Sequence, residues 1–342
     1  MLKAVCFAEY LCESDQPEGT EAARKSAAVR IRNRAARETV PEGTEAFRSS
    51  AAHMPEMHRA VRALREAGFR SGILYFSKGN PLPPDLYAAP EETLFLCGDG
   101  ALLQQLRGCG WYAVGYAHDG NSGERFPGAS YIVQEPDLVD PDSYVKMHAR
   151  EAGLPWTILR TRRCLVREFT VADLDALYAL YDGQARRFLT PLSEDRQRER
   201  EILGAYIDRI YRLYGFGHWA VLLREGESGE CTGPLIGRVG FSALTAQQEL
   251  EALELGIREK DREDSGIDAD FGFLIAASCR GTGIAEEVCA ALLEYGFSQL
   301  GFTLVRADAR TDNAPSLRLL EKLGFTPAGT KSGRRIFLRG RV

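Results

Sequence analysis

The stretch Ser278–Val288, "SCRGTGIAEEV", decides how the second half of this chain is read. It joins a strand-like run, "ADFGFLIAAS" (269–278), to a helix-like run, "AEEVCAALLEYGF" (285–297). The first turn of a helix leaves about four backbone N–H groups without an internal partner, and the helix dipole adds roughly half a positive charge there. Gly281 and Gly283 let an anion approach those amides without meeting a Cβ. Arg280 can add a charge-assisted hydrogen bond. A phosphate seat is one reading of so bare a turn. A plain strand-to-helix corner is the other.

Outward from this turn, the second half alternates strands and helices. "TRRCLVREFT" (161–170), "HWAVLLRE" (218–225), "LIGRVGFSAL" (235–244), "TLVRADART" (303–311) and "RRIFLRGRV" (334–342) read as strands. "VADLDALYALYD" (171–182), residues 193–214, residues 285–300 and "NAPSLRLLEKLGF" (313–325) read as helices, the last ending at Gly324. Residues 245–265 are acidic and read as irregular, a face suited to a cationic amine or a basic peptide. Antiparallel strands with helices at one end imply an α+β layout.

The first half has a different rhythm. "LKAVCF" (2–7), "SGILYFS" (71–77), "ETLFLCGD" (92–99), "WYAVGYA" (111–117) and "ASYIVQEP" (129–136) read as strands. Helices fall between them, at "MHRAVRALREAGF" (57–69), "GALLQQLRGCG" (100–110) and "DPDSYVKMHAREAG" (140–153). This order predicts a mostly parallel α/β sheet covered on both faces. A duplicated segment interrupts it: "PEGTEAARKSAAV" from Pro17 and "PEGTEAFRSSAAH" from Pro41 agree at ten of thirteen positions. The predicted layout is therefore residues 1–152 with an insert at about 11–55, then residues 158–342, with Pro155 at the boundary.

Bulk composition excludes some classes. The chain has 342 residues, 44% hydrophobic and 27% charged, with a formal net charge of −5. That balance speaks against a nucleic-acid partner. No apolar run is long enough to cross a membrane, and "MLKAVCFAEYL" makes a poor signal peptide. The eight cysteines show no CxxC pair and no zinc spacing with the five histidines. Reduced thiols in a cytoplasmic protein, with no metal, are expected. A homodimer is left open.

The second half resembles the GNAT superfamily of acyl-CoA N-acyltransferases. Arg280, Gly283 and Ala285 match its pyrophosphate signature, Q/R-x-x-G-x-G/A. "DNAPSLRLLEKLGF" (312–325), with Asn313 33 residues after Arg280, is similar to the family's N-x-x-S…E-K-L-G-F block. "ADFGF" resembles its "AELGY", and "CLVREFT" its opening strand. The subgroup resembled acetylates N-terminal amines of ribosomal proteins and assorted small amines, so the acceptor stays open between a small molecule and a protein N-terminus. The resemblance implies a GNAT fold that takes acetyl-CoA as cosubstrate. Its diphosphate would sit on the amides of Gly281, Thr282, Gly283, Ile284 and Ala285, with Arg280 beside them. Its pantetheine arm would run along Leu274, Ile275 and Ala276, with Asn313 hydrogen-bonded to it or acting as a helix cap. Many members carry a tyrosine as general acid at the position of Leu320, which can donate nothing. Ser316 or a water takes its place. Asp270 and Asp308, on the two bordering strands, are candidate bases for the amine.

The first half resembles haloacid-dehalogenase-like hydrolases, with a Rossmann-like fold. "MLKAVCFAEYL" is similar to their first motif, "ILYFSKGN" with Ser77 to the second, and "LFLCGDG" with Asp99 to the last. Ala8 and Tyr10 stand where that family has its two catalytic aspartates, so a catalytically silent domain is expected. The alternatives are an acyl-CoA-binding sensor without turnover, and a phosphohydrolase in the first half.

Overall fold

A run that is buried at every position can be covered on both faces only inside a covered sheet. β3 (Thr93–Cys97) shows this, since all five residues are buried. The computed structural model describes residues 2–10, 54–76, 90–224, 233–256 and 266–341. The duplicated segment lies outside them. The chain divides into two compact units, Met1–Leu154 and Pro155–Val342.

In the first unit, β1 (Ala4–Tyr10), β2 (Arg70–Phe76), β3, β4 (Tyr112–Tyr116) and β5 (Ile132–Val133) form a parallel sheet in the order β2-β1-β3-β4-β5. α1 (Met54–Glu66) and α3 (Pro141–Glu151) cover one face. There Met57, Val61, Leu64 and Tyr144 meet Phe7 and Leu96. α2 (Gly100–Gly108) covers the other, with Leu102, Leu103 and Leu106 against Ala8 and Phe95. The run 129–136, expected to be a full strand, pairs only at Ile132 and Val133.

In the second unit, eight strands form one sheet in the order β12-β13-β11-β10-β9-β8-β7-β6. They are β6 (Thr157–Arg160), β7 (Cys164–Arg167), β8 (His218–Leu223), β9 (Leu235–Ser242), β10 (Ala269–Ile275), β11 (Leu304–Arg310), β12 (Thr326–Lys331) and β13 (Arg334–Gly340). Every pairing is antiparallel except β10 with β11. α4 (Leu174–Leu180), α5 (Gly183–Phe188) and α6 (Arg196–Tyr214) pack through Leu177, Ala185 and Leu203 against Ala220 and Leu274 on one face. α8 (Ile284–Ser298) and α9 (Ala314–Lys322) pack on the other. There Val288, Leu292, Phe297 and Leu320 meet Val239, Phe241 and Phe271. A buried leucine such as Leu292 contributes roughly 1.5–3 kcal/mol. Four elements differ from the sequence reading: β6 and α5 were not expected. Part of the acidic run is helical, α7 (Ala246–Glu254), and β12 closes the sheet beyond β13.

Candidate active site

The sheet of the second unit has a gap in it. β10 pairs with β9 from Asp270 to Ile275, and β11 pairs with β13 from Leu304 to Arg310. Yet β10 and β11 meet only at Ala269–Val305 and Asp270–Arg306. Beyond Asp270 the two strands part, and among the described residues no strand fills the space. Parallel pairing is slightly weaker per residue than antiparallel pairing, so this is where a sheet opens most cheaply.

α8 starts at the end of β10. Gly281 and Gly283 are left-handed, with φ of 76° and 78°, which explains why both are glycine. Gly281, Thr282 and Gly283 are exposed, while Ile284 is buried and docks the first turn onto the sheet. Among the described residues, the amides of Gly281, Thr282 and Gly283 donate to no backbone carbonyl in the turn. The amides of Ile284, Ala285 and Glu286 lie in the first turn, where an α-helix offers them no partner.

The acids beside these amides are bound to cations. Glu286 meets Lys322 at 2.5 Å, and Glu287 accepts from Arg163 Nε at 2.6 Å and from its backbone N at 2.9 Å. Arg163 Nη1 also donates to the Thr282 carbonyl at 2.9 Å, and Thr282 Oγ1 to that of Cys279 at 2.7 Å. Arg280 is committed sideways. Its Nε donates to the Ile275 carbonyl at 3.1 Å, and its Nη1 to Gln184 at 2.8 Å and Asp182 at 2.9 Å. The Ala185 amide, then Arg280, holds the Asp182 carboxyl below its usual range.

Of the residues expected to flank a pantetheine arm, Leu274 and Ile275 pair with β9, and Ala276 N donates to Ile236 O at 2.8 Å. Only the edge turned away from β9 is open. Asn313 is the N-cap of α9, its side chain accepting from Ser316 N at 3.4 Å. Ser316 is half-buried one turn into that helix, and Leu320 points into the core.

Asp270 and Asp308 come together, but not as open carboxylates. Arg306, 3% exposed, reaches Asp270 at 2.5 Å, Asp308 at 2.8 Å and Glu251 of α7 at 3.3 Å. Arg334 also pairs with Asp308. Burial, opposed by Arg306 and reinforced by Asp308, pushes Asp270 up to about 6.

On the face covered by α6 lies a cavity of about 410 Å³, lined by Tyr206, Tyr214, Phe216, His218, Arg238 and Ser242 among others. His218, Gly240 and Gly272 are in register across β8, β9 and β10. The histidine ring lies over Gly272, where a Cβ would approach its Cε1 to 2.9 Å. Tyr206 Oη accepts from His218 N at 2.6 Å, and Tyr211 Oη donates to its carbonyl at 2.6 Å. Burial, then the charge of Arg238, holds the imidazole well below its usual range. Sequence reasoning passed over this histidine. The signal lay in two glycines on separate strands that come level with it only in the sheet.

Residues 163–326, which span the gap, the turn and this cavity, match the family described as acetyltransferase (GNAT) domain. The second half carries a GNAT acetyltransferase domain. The chain is an acetyltransferase enzyme, and its curated relatives agree. It is 29% identical over 174 residues to the uncharacterized N-acetyltransferase YoaA of Bacillus subtilis, covering 50% of this chain and 84% of that one. It is 25% identical over 175 residues to the uncharacterized N-acetyltransferase p20 of Bacillus licheniformis, covering 50% and 83%. Among solved structures, an acetyltransferase from Agrobacterium tumefaciens aligns over 54% of this chain and 94% of its own, at 20% identity and a TM-score of 0.40. All of these alignments leave about half of this chain unmatched. No helix among the described residues is long and apolar enough to cross a membrane.

Proposed function

We propose that the GNAT domain transfers an acetyl group from acetyl-CoA to a primary amine, either a small molecule or a protein N-terminus. The observation that carries this is the parting of β10 and β11 after Asp270 beside the exposed amides at the start of α8. A diphosphate fits those amides because the helix dipole and unpartnered N–H groups favour negative charge there. The neighbouring acids do not oppose it, because Lys322 and Arg163 neutralise them. Arg280 acts by bracing the turn against α5, with its guanidinium on Asp182 and Gln184. The pantetheine arm takes the place of the missing strand along the β10 edge turned away from β9, where the Ile275 carbonyl is already held by Arg280. Asn313 sets the start of α9, and the Ser316 hydroxyl in the first turn of that helix serves as proton donor to the departing thiolate. A thiolate is a good leaving group, so most of the rate enhancement comes from positioning.

The first unit is read as a silent haloacid-dehalogenase-like domain. Its support is an interior β1 flanked by β2 and β3, with Ala8 buried near the end of β1. The anion seat at α2 is already taken. Asp99 accepts from the amides of Ala101 and Leu102 at 2.8 and 2.9 Å, and Glu124 from that of Gly100 at 3.0 Å.

Calorimetry tests the reading. The wild type binds acetyl-CoA and CoA, and a preparation that gives no heat with either refutes it. Magnesium-dependent release of inorganic phosphate from p-nitrophenyl phosphate would refute the silent domain.

A further inference from the structure

We propose that His218 is the proton acceptor for the amine and that the cavity around it is the acceptor site; this rests on the acetyltransferase reading above. Three observations converge. The ring stands over Gly272, two residues beyond Asp270, the last β10 residue paired to β11. The cavity therefore adjoins the point where the gap opens. Gly272 leaves room for the ring, and Gly240 lets β9 pack against the Gly217–His218 backbone. A Cβ at Gly240 would strike the Gly217 carbonyl, and one at Gly272 the ring itself. Finally, His218 Nδ1 is sealed from solvent and has no hydrogen-bond partner among the described residues. Proton exchange with the cavity therefore falls to the other ring nitrogen, Nε2.

The alternatives within the site are engaged. Asp270 and Asp308 are both held by Arg306. The groups facing the His218 ring are Arg238 from β9 and Tyr206 and Tyr214 from α6, and from β10 the facing residue is Gly272. None of these is a carboxylate that would keep the imidazole protonated. Arg238 also disfavours a second positive charge in the cavity, so an amine enters in its neutral form. The lining of Tyr206, Tyr214 and Phe216 suits an amine carried on a flat apolar body.

In the step proposed, the amine nitrogen forms a C–N bond to the thioester carbonyl carbon, and the C–S bond breaks. The proton lost by that nitrogen passes to His218, the Ser316 hydroxyl gives its proton to the thiolate, and Ser316 regains one from His218 through solvent. One neutral amine and one acetyl thioester give one amide and one thiol, with no other reactant.

The experiment uses the full chain, with acetyl-CoA as donor, 2-phenylethylamine and an alanine-initiated tripeptide as acceptors, and thiol release as readout. In His218→Gln, thiol release falls about 100-fold or more, the dissociation constant for acetyl-CoA by calorimetry stays within threefold, and the acidic limb of the pH–rate profile disappears. Nitrogen-15 NMR of the wild type shows a neutral His218 ring at pH 7. His218→Asn is the second variant should the first not fold. The inference is overturned by turnover within threefold of wild type in either variant, by an imidazolium at pH 7, or by a wild type that binds acetyl-CoA yet releases thiol with neither amine. Absence of acetyl-CoA binding by the wild type defeats the underlying reading instead.

Discussion

Two strand-to-helix turns, one in each unit, treat the same backbone groups in opposite ways. At the start of α2, the amides of Gly100, Ala101 and Leu102 are spent on carboxylates of the protein itself, Asp99 and Glu124. At the start of α8, the carboxylates are spent on cations. Glu286 goes to Lys322 and Glu287 to Arg163, and the turn amides stay exposed. Both helices carry acids within reach of their first turn. What differs is whether an arginine or lysine is close enough to draw those acids away. An anion seat is thus decided by the basic residues nearby as much as by glycines in the turn.

Four changes break or sharpen this contrast. The largest effect is expected for Arg306→Met, which leaves Asp270 and Asp308 buried beside each other without the cation between them. Chemical denaturation at pH 7 should show a loss of about 3–5 kcal/mol. The raised Asp270 contributes stability below the ordinary carboxylate range and loses it as pH rises through about 6. The penalty in the variant should therefore shrink at pH 5, and a penalty equal at both pH values would show that Asp270 is not the group involved.

Next is Gly283→Val. A branched residue at φ 78° strains the backbone by about 1–3 kcal/mol. It should weaken acetyl-CoA binding roughly 10- to 100-fold by calorimetry, with a thermal scan to confirm folding. Unchanged affinity would place the diphosphate elsewhere. Asp99→Ala should cost about 1 kcal/mol in the first unit, as loss of an N-cap does, while acetyl-CoA turnover stays at the wild-type level. The smallest effect belongs to Lys322→Gln. Its pair with Glu286 is largely exposed, so affinity for acetyl-CoA should fall about twofold at low salt and not at all at high salt.

The glycine turn was legible because left-handed backbone has few residue choices, so Gly281 and Gly283 report their own conformation. The parallel sheet of the first unit was legible from apolar runs such as "TLFLC". β12 was not, because "TPAGTK" has no buried residue and no apolar alternation; it is a strand only because β13 pairs with it. α7 hid inside an acidic run whose short apolar stripe, with Ala252 buried, is outweighed by glutamates. Asp270 and Asp308 were singled out as candidate bases, but their shared bond to Arg306 was not foreseen. That contact depends on one residue of cross-strand register, Asp270 opposite Arg306, which composition does not encode. His218 was missed for the same reason.

The gap after Asp270 has a consequence for solubility. An unpaired strand edge at the border of a sheet is a hazard, since another chain can add itself there. Here the unpaired edges of β10 and β11 face each other inside the sheet, each backed by its own antiparallel neighbour. A whole foreign strand, with side chains on both sides, meets those walls, whereas a slender extended molecule does not. The fold keeps sticky backbone in stock while hiding it from its own kind.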